Sequence, residues 1–162
     1  MIFETNRMLV RKLTPEDLSC FHEMQCNPNV MKYVDGDPKS LREHQLELQD
    51  LINKYDETGN DFWIYAVASK TDNSFLGTVA FVKDDLGNDE IGYRFLEKYW
   101  NLDYGTEVLY GMISYSRKKG FTDLIAYVSE ENIGSIRTLE KNRFSKIGIH
   151  TKTKDFIYTL KL

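Results

Sequence analysis

Asp89 to Gly120 reads DEIGYRFLEKYWNLDYGTEVLYGMISYSRKKG, and its period changes partway along. From Glu90 to Leu96 the chain alternates: Ile91, Tyr93 and Phe95 fall on one face, Glu90, Gly92, Arg94 and Leu96 on the other. That is a strand pattern. From Tyr104 onward, Val108, Leu109, Met112, Ile113 and Ser116 recur at helical spacing. Arg117, Lys118 and Lys119 suit the negative end of a helix dipole, and Gly120 suits the residue just past the helix end. The loop Glu97 to Asp103 joins the two elements. A strand, a short loop and a helix N-terminus make an anion site, because unpaired N–H groups and the positive dipole end point into the loop.

The flanking chain supplies the rest of a single domain. Met8 to Leu13 reads as a strand, followed by a helix with Thr14 as N-cap and Pro15 at its first position, running to about Gln25. Asn27-Pro28-Asn29 breaks it, and an irregular loop passes through Tyr33, Asp35, Gly36, Asp37 and Pro38. Ser40 and Glu43 form a capping box for a second helix to about Asp56. Phe62 to Ser69 and Phe75 to Lys83 form a hairpin around Thr71-Asp72-Asn73-Ser74, and Gly87-Asn88 turns the chain into the Glu90 strand. After the central helix come a buried-type strand at Leu124 to Val128, a helix from an Asn132 cap to about Asn142, and strands at Lys146 to His150 and Phe156 to Leu160. The order β-α-α-β-β-β-α-β-α-β-β packs most naturally as a mixed sheet with helices on both faces, an α+β fold.

Composition narrows the functional classes. The 162 residues are 41% hydrophobic and 13% aromatic, enough for a proper core. A formal charge of −4 gives no support to a nucleic-acid-binding or anionic-membrane surface. No apolar run approaches a transmembrane helix, and MIFETNRMLVRK carries no signal-type core, so a cytoplasmic protein is expected. Cys20 and Cys26 match no redox or zinc spacing. His22, His44 and His150 are dispersed along the chain, and no metal site is expected. The aromatic residues Phe62, Trp63, Tyr65, Phe81, Tyr93 and Phe95 read mostly as core.

Three stretches together resemble the GNAT N-acetyltransferase superfamily, and within it the ribosomal-protein N-terminal acetyltransferases of the Rim type. They are RMLVRKLTPEDL, EIGYRFLEKYW followed by YGTEVL, and ENIGSIRTLEKNRF, in family order over essentially the whole chain. The resemblance implies a mostly antiparallel seven-stranded sheet and acetyl-CoA as donor. It places the donor pyrophosphate on the N–H groups of Asn101, Leu102, Asp103, Tyr104, Gly105 and Thr106. The pantetheine arm would pair with Arg94, Phe95 and Leu96, as an extra strand does. Asn132 matches the family residue that bonds this arm, and Ser135 the one near the thioester sulfur. Two departures stand out. Trp100 and Asp103 replace a basic or amide residue and a Gly of the family loop, and Arg143 replaces the Gly near the end of the last helix.

The resemblance also assigns chemistry. Glu90 matches a general-base position, since an amine must lose a proton to attack a thioester; the plainer reading is a solvated strand-edge carboxylate. Ser135 either protonates the departing thiolate or bonds it, and otherwise is a first-turn helix residue. Tyr33, Asp35 and Asp37 lie in the loop that lines the acceptor pocket in this family, where acids suit an amine; alternatively they form a solvated turn. The expected activity is direct acetyl transfer to a primary amine, either a protein N-terminus or a small amine. Monomer and homodimer are both compatible with it. The rival reading is a catalytically degenerate GNAT-fold module that senses CoA or binds protein. Asp103 is the feature that favours the rival, through the charge and Cβ it adds to the phosphate loop or by capping the central helix.

Overall fold

The computed structural model describes residues 1–34 and 36–162. Twelve elements follow in the expected order, with one addition: β1 (Phe3–Glu4), β2 (Met8–Arg11), α1 (Leu18–Cys26), α2 (Leu41–Asn53), β3 (Phe62–Ser69), β4 (Phe75–Lys83), β5 (Asp89–Phe95), α3 (Tyr104–Lys119), β6 (Asp123–Val128), α4 (Ile133–Lys141), β7 (Ser145–Ile149) and β8 (Phe156–Lys161). The sheet therefore has eight strands rather than seven, in the order β1-β2-β3-β4-β5-β6-β8-β7. The extra strand, β1, pairs Phe3 with Val10 and Glu4 with Leu9.

All ladder pairings are antiparallel except one. β5 and β6 run parallel and register at a single position, Glu90 with Ile125. Beyond it β5 pairs only with β4, as far as Gly77 with Phe95, while β6 pairs only with β8, as far as Val128 with Phe156. The sheet is thus split at the C-terminal ends of its two parallel strands. Gly77 sits where β4 passes closely over the Arg94–Phe95 backbone of β5. A Cβ there would lie 2.0 Å from the Arg94 carbonyl oxygen and 2.8 Å from the Phe95 Cα.

Alternation along β5 sends its two faces into different cores. Ile91 and Phe95 join Val79, Phe81, Val108, Leu109, Met112, Ile113 and Leu139 beneath α3 and α4. On the other face α1 and α2 bury Phe21, Met24, Leu48 and Leu51 with Ala66 and Leu96. Local signals hold these helices in place. The Ser40 hydroxyl accepts the Glu43 N–H, and Glu43 returns a bond to the Ser40 N–H at 2.7 Å. At the start of α1 Thr14 is the N-cap with Pro15 after it, as expected, and the Asp17 carboxylate accepts the Thr14 N–H at 2.9 Å together with a two-pronged pair from Arg11 at 2.8 Å. A single 3₁₀ turn, Pro15–Asp17, precedes the α-helix proper.

Candidate active site

The loop between β5 and α3 is built for close backbone approach. A short 3₁₀ turn at Glu97–Tyr99 leads to Asn101 and Asp103, both left-handed, with φ of 59° and 60° and Leu102 between them at negative φ. Alternating the sign of φ turns successive N–H groups toward one side, the arrangement that cups anions. Asn and Asp are the non-glycine residues that tolerate this region best, so the Gly-to-Asp departure is sterically absorbed. The first bond of α3 runs from the Glu107 N–H to the Asp103 carbonyl, leaving the N–H groups of Tyr104, Gly105 and Thr106 without intrahelical acceptors. Gly105 leaves room for the Tyr93 ring, whose edge lies 3.2 Å from where a Cβ would be.

The capping role considered for Asp103 is overturned. Its side chain makes no cap hydrogen bond, is 80% exposed, and lies 3.8 Å from the Lys141 ammonium. A left-handed φ aims the carboxylate away from the first-turn N–H groups, which remain open. The loop is braced from behind. Arg7 pairs with Glu107 at 2.6 Å, donates to the Leu102 carbonyl at 3.0 Å, and lies over the Tyr104 ring. Burial opposes ionisation of Glu107, but bonds from the Thr5 hydroxyl and Arg7 hold its carboxyl below the usual range. Trp100, at the other departure, donates its indole N–H to the Phe95 carbonyl at 3.0 Å.

The α1/α2 face of the split opens into a cleft of about 700 Å³. Glu90, Gly92 and Arg94 from β5 form its floor with Thr78 and Ala80 of β4, and Phe62 and Ile64 of β3 border it. Phe62, expected in the core, is 44% exposed there. Glu90 is half-buried, and burial together with the nearby charges of Asp84 and Asp85 pushes its carboxyl above the usual range. Arg94 turns its guanidinium into the cleft, donates to Gln25 Oε1 at 2.8 Å, and has no carboxylate within ion-pair distance among the described residues. Gln25 in turn donates to Glu47, which pairs with Lys39 at 2.7 Å.

The residues expected around the acceptor divide. Asp37 lines the cleft. Tyr33 instead bridges to the far side of the split, donating its hydroxyl to the Glu131 carbonyl at 3.2 Å. Asp35 lies outside the described residues. Asn132 caps α4, accepting the Ser135 N–H at 3.2 Å, so its amide NH₂ remains for a ligand. Ser135 is half-buried in the first turn of α4, and its hydroxyl makes no hydrogen bond to the described residues. Leu139 is packed in the core, which leaves no phenol on that turn.

Two features were not foreseen. Tyr127 of β6 donates to Asp84 at 2.7 Å, and burial together with Asp84 raises its phenol to about 12. Sequence alternation within β6 marks its face but not its partner. The expected dispersal of the histidines also fails for two of them, since His22 and His44 meet beside Cys26.

Comparison with known proteins agrees with this geometry. The profile of the acetyltransferase (GNAT) domain matches residues 7–145. An uncharacterized N-acetyltransferase, p20, from Bacillus licheniformis is 28% identical over 152 residues, covering 90% of this chain and 83% of that protein. A GNAT-family acetyltransferase from Bacillus anthracis superposes with a TM-score of 0.83 at 22% identity, over 98% of this chain and 97% of that one. RimL, a ribosomal-protein alpha-N-acetyltransferase solved with coenzyme A, superposes with a TM-score of 0.79 at 13% identity, over 98% and 96%. With the domain profile covering β2 to β6, the β5–α3 loop and all four helices, the chain belongs to the GNAT family of acetyltransferases.

Proposed function

We propose that this chain transfers the acetyl group of acetyl-CoA directly to a primary amine, and that the acceptor is a peptide N-terminus. The observation that carries the first part is Glu90: a half-buried carboxylate with a raised pKa, on the one register position where β5 meets β6, opening into the cleft. A group of that kind takes a proton at neutral pH more readily than an ordinary Glu. Glu90, directly or through water, accepts a proton from the amine. The nitrogen lone pair forms the C–N bond to the thioester carbonyl, and a backbone N–H of β5 near Phe95 holds the resulting oxyanion. Its collapse breaks the C–S bond, and the departing thiolate takes a proton from the Ser135 hydroxyl or from water.

The donor is held by the backbone of Asn101 to Thr106, by β5 from Arg94 to Leu96, and by the Asn132 amide. Arg94 supports the acceptor class. Its half-buried guanidinium, in no ion pair among the described residues, opposes the several charges of a polyamine but welcomes the carbonyl oxygens that accompany a peptide N-terminus. Asp37 and Glu47 supply the negative charge that draws the amine in.

The test is free-thiol release from acetyl-CoA with short peptides of varied N-terminus, spermidine as the polyamine control, and Glu90→Gln and Arg94→Gln variants. Peptide-dependent release that falls about a hundredfold in Glu90→Gln, with acetyl-CoA affinity kept, is expected. Spermidine outcompeting every peptide would refute the acceptor assignment. Retained acetyl-CoA binding with no release to any amine would establish the degenerate-module reading instead.

A further inference from the structure

We propose that His22, Cys26 and His44 form a zinc site that clamps α1 to α2 along the wall of the acceptor cleft. His22 and Cys26 stand one helical turn apart on α1, so their side chains share a face. His44 projects from the first turns of α2 against that face. The His22 and His44 Nδ1 atoms are 2.8 Å apart, the Cys26 sulfur is 3.5 Å from His22 Nδ1, and one ligand atom from each of the three residues falls within 4.8 Å of the others.

The arrangement fits a tetrahedral ion. Bond lengths of about 2.05 Å to nitrogen and 2.3 Å to sulfur require ligand–ligand edges of about 3.3 Å between nitrogens and about 3.6 Å between nitrogen and sulfur. The Cys26–His22 edge already has that length, and Cys26 and His44 offer ligand atoms within 4.8 Å of each other. The histidine pair must open by about half an ångström, a small rotation of the exposed-side His22 ring. His44 cannot move as freely: it is 2% exposed, with Phe21 standing edge-on to its ring at 6.0 Å. It is therefore a fixed ligand onto which the other two close.

The donor set narrows the metal. One thiolate and two imidazoles suit zinc, with copper the competitor, and exclude magnesium and calcium, which take oxygen. Three protein ligands leave a fourth position for water. Cys26 and His44 both line the cleft, and the Glu47 carboxylate stands one turn beyond His44 on the same helix, near enough to offset the positive charge of the site. Because the ion joins the two helices that carry Gln25 and Glu47, its loading sets the wall against which the acceptor lies.

The experiment uses the whole chain, reduced and stripped with a chelator. Zinc is titrated in competition with a chromophoric chelator, and cobalt(II) serves as the spectroscopic probe. One equivalent should bind with a dissociation constant of about a micromolar or tighter, and cobalt should show a near-ultraviolet sulfur charge-transfer band. Cys26→Ser, at an exposed position that leaves folding intact, should abolish that band and weaken zinc at least tenfold. His22→Ala should weaken it similarly, and zinc should raise the melting temperature of the wild type alone. Absence of stoichiometric binding, or binding indifferent to both substitutions, would overturn the site whatever the protein's activity toward amines.

Discussion

Gly77→Ala tests whether the width of the split is set by backbone contact between β4 and β5. The added methyl carbon would begin 2.0 Å from the Arg94 carbonyl oxygen and 2.8 Å from the Phe95 Cα. A carbon–oxygen contact needs about 3.2 Å or more, so the two strands must part by more than an ångström, and neither partner is a flexible side-chain tip. The adjacent bond from the Leu96 N–H to the Leu76 carbonyl is 2.9 Å long and would be pulled past hydrogen-bond distance. One or two lost ladder bonds at about 1 kcal/mol each, added to overpacking of 1–3 kcal/mol, give a loss of about 3 kcal/mol. For a chain of this size that is a fall in melting temperature of roughly 6–12 °C. The displaced end of β5 carries Arg94 to Leu96, so acetyl-CoA affinity should fall as well. Thermal melts by circular dichroism and calorimetric titration of acetyl-CoA read both effects. A variant that melts within about 2 °C of wild type and binds normally would refute the argument that this crossing fixes the split.

Glu90→Gln should raise the melting temperature at neutral pH while lowering turnover. The folded state holds the Glu90 proton more tightly than the unfolded chain does, so the charged form costs stability above the usual carboxylate range; the gain should fade as pH falls through that range, and a pH-independent difference would count against it. Asp103→Gly should tighten acetyl-CoA binding by no more than about fivefold at low salt, with the effect vanishing at high salt, because the carboxylate is exposed and close to Lys141. Its melting temperature should shift by only a few degrees, since relief of the left-handed φ is offset by the freedom Gly gains in the unfolded chain. In a Trp63→Phe background, acetyl-CoA should change the emission of Trp100, whose indole N–H now occupies the Phe95 carbonyl that the pantetheine arm would approach; an unchanged spectrum at saturation would show that the two do not meet.

Elements whose signals are local were legible in the sequence. The period change at Glu97 to Asp103, the Ser40–Glu43 box and Gly120 past the end of α3 each depend on neighbours a few residues away, and each appears in the structure. β1 did not announce itself, because two residues carry no period; it exists through pairing with β2. The Thr14 cap was legible, but the Arg11 pair on Asp17 that reinforces it was not, because it joins a strand to the helix start. Phe62 looked like core because strand alternation shows that two faces differ without saying that one of them opens into a cleft. The turn of Arg94 into that cleft and the meeting of His22 with His44 depend on how α1 and α2 lie on the sheet, which single-chain spacing does not encode.

The split gives the sheet an unusual mechanical character. β1 to β5 form one fully laddered plate and β6, β8 and β7 another, and one parallel register position joins their backbones. Side chains add further links: the Asn142 amide reaches the Thr106 carbonyl between α4 and α3, Tyr127 reaches Asp84, and Tyr33 reaches the Glu131 carbonyl. The plates resemble two leaves on a common spine, open along the edge where a ligand would lie. A molecule that bonds to both edges supplies rungs that the polypeptide itself omits, and so completes the tertiary structure as it binds. Amide hydrogens along Arg94 to Leu96 and Tyr127 to Ser129 are therefore the ones whose exchange with solvent responds first to the donor.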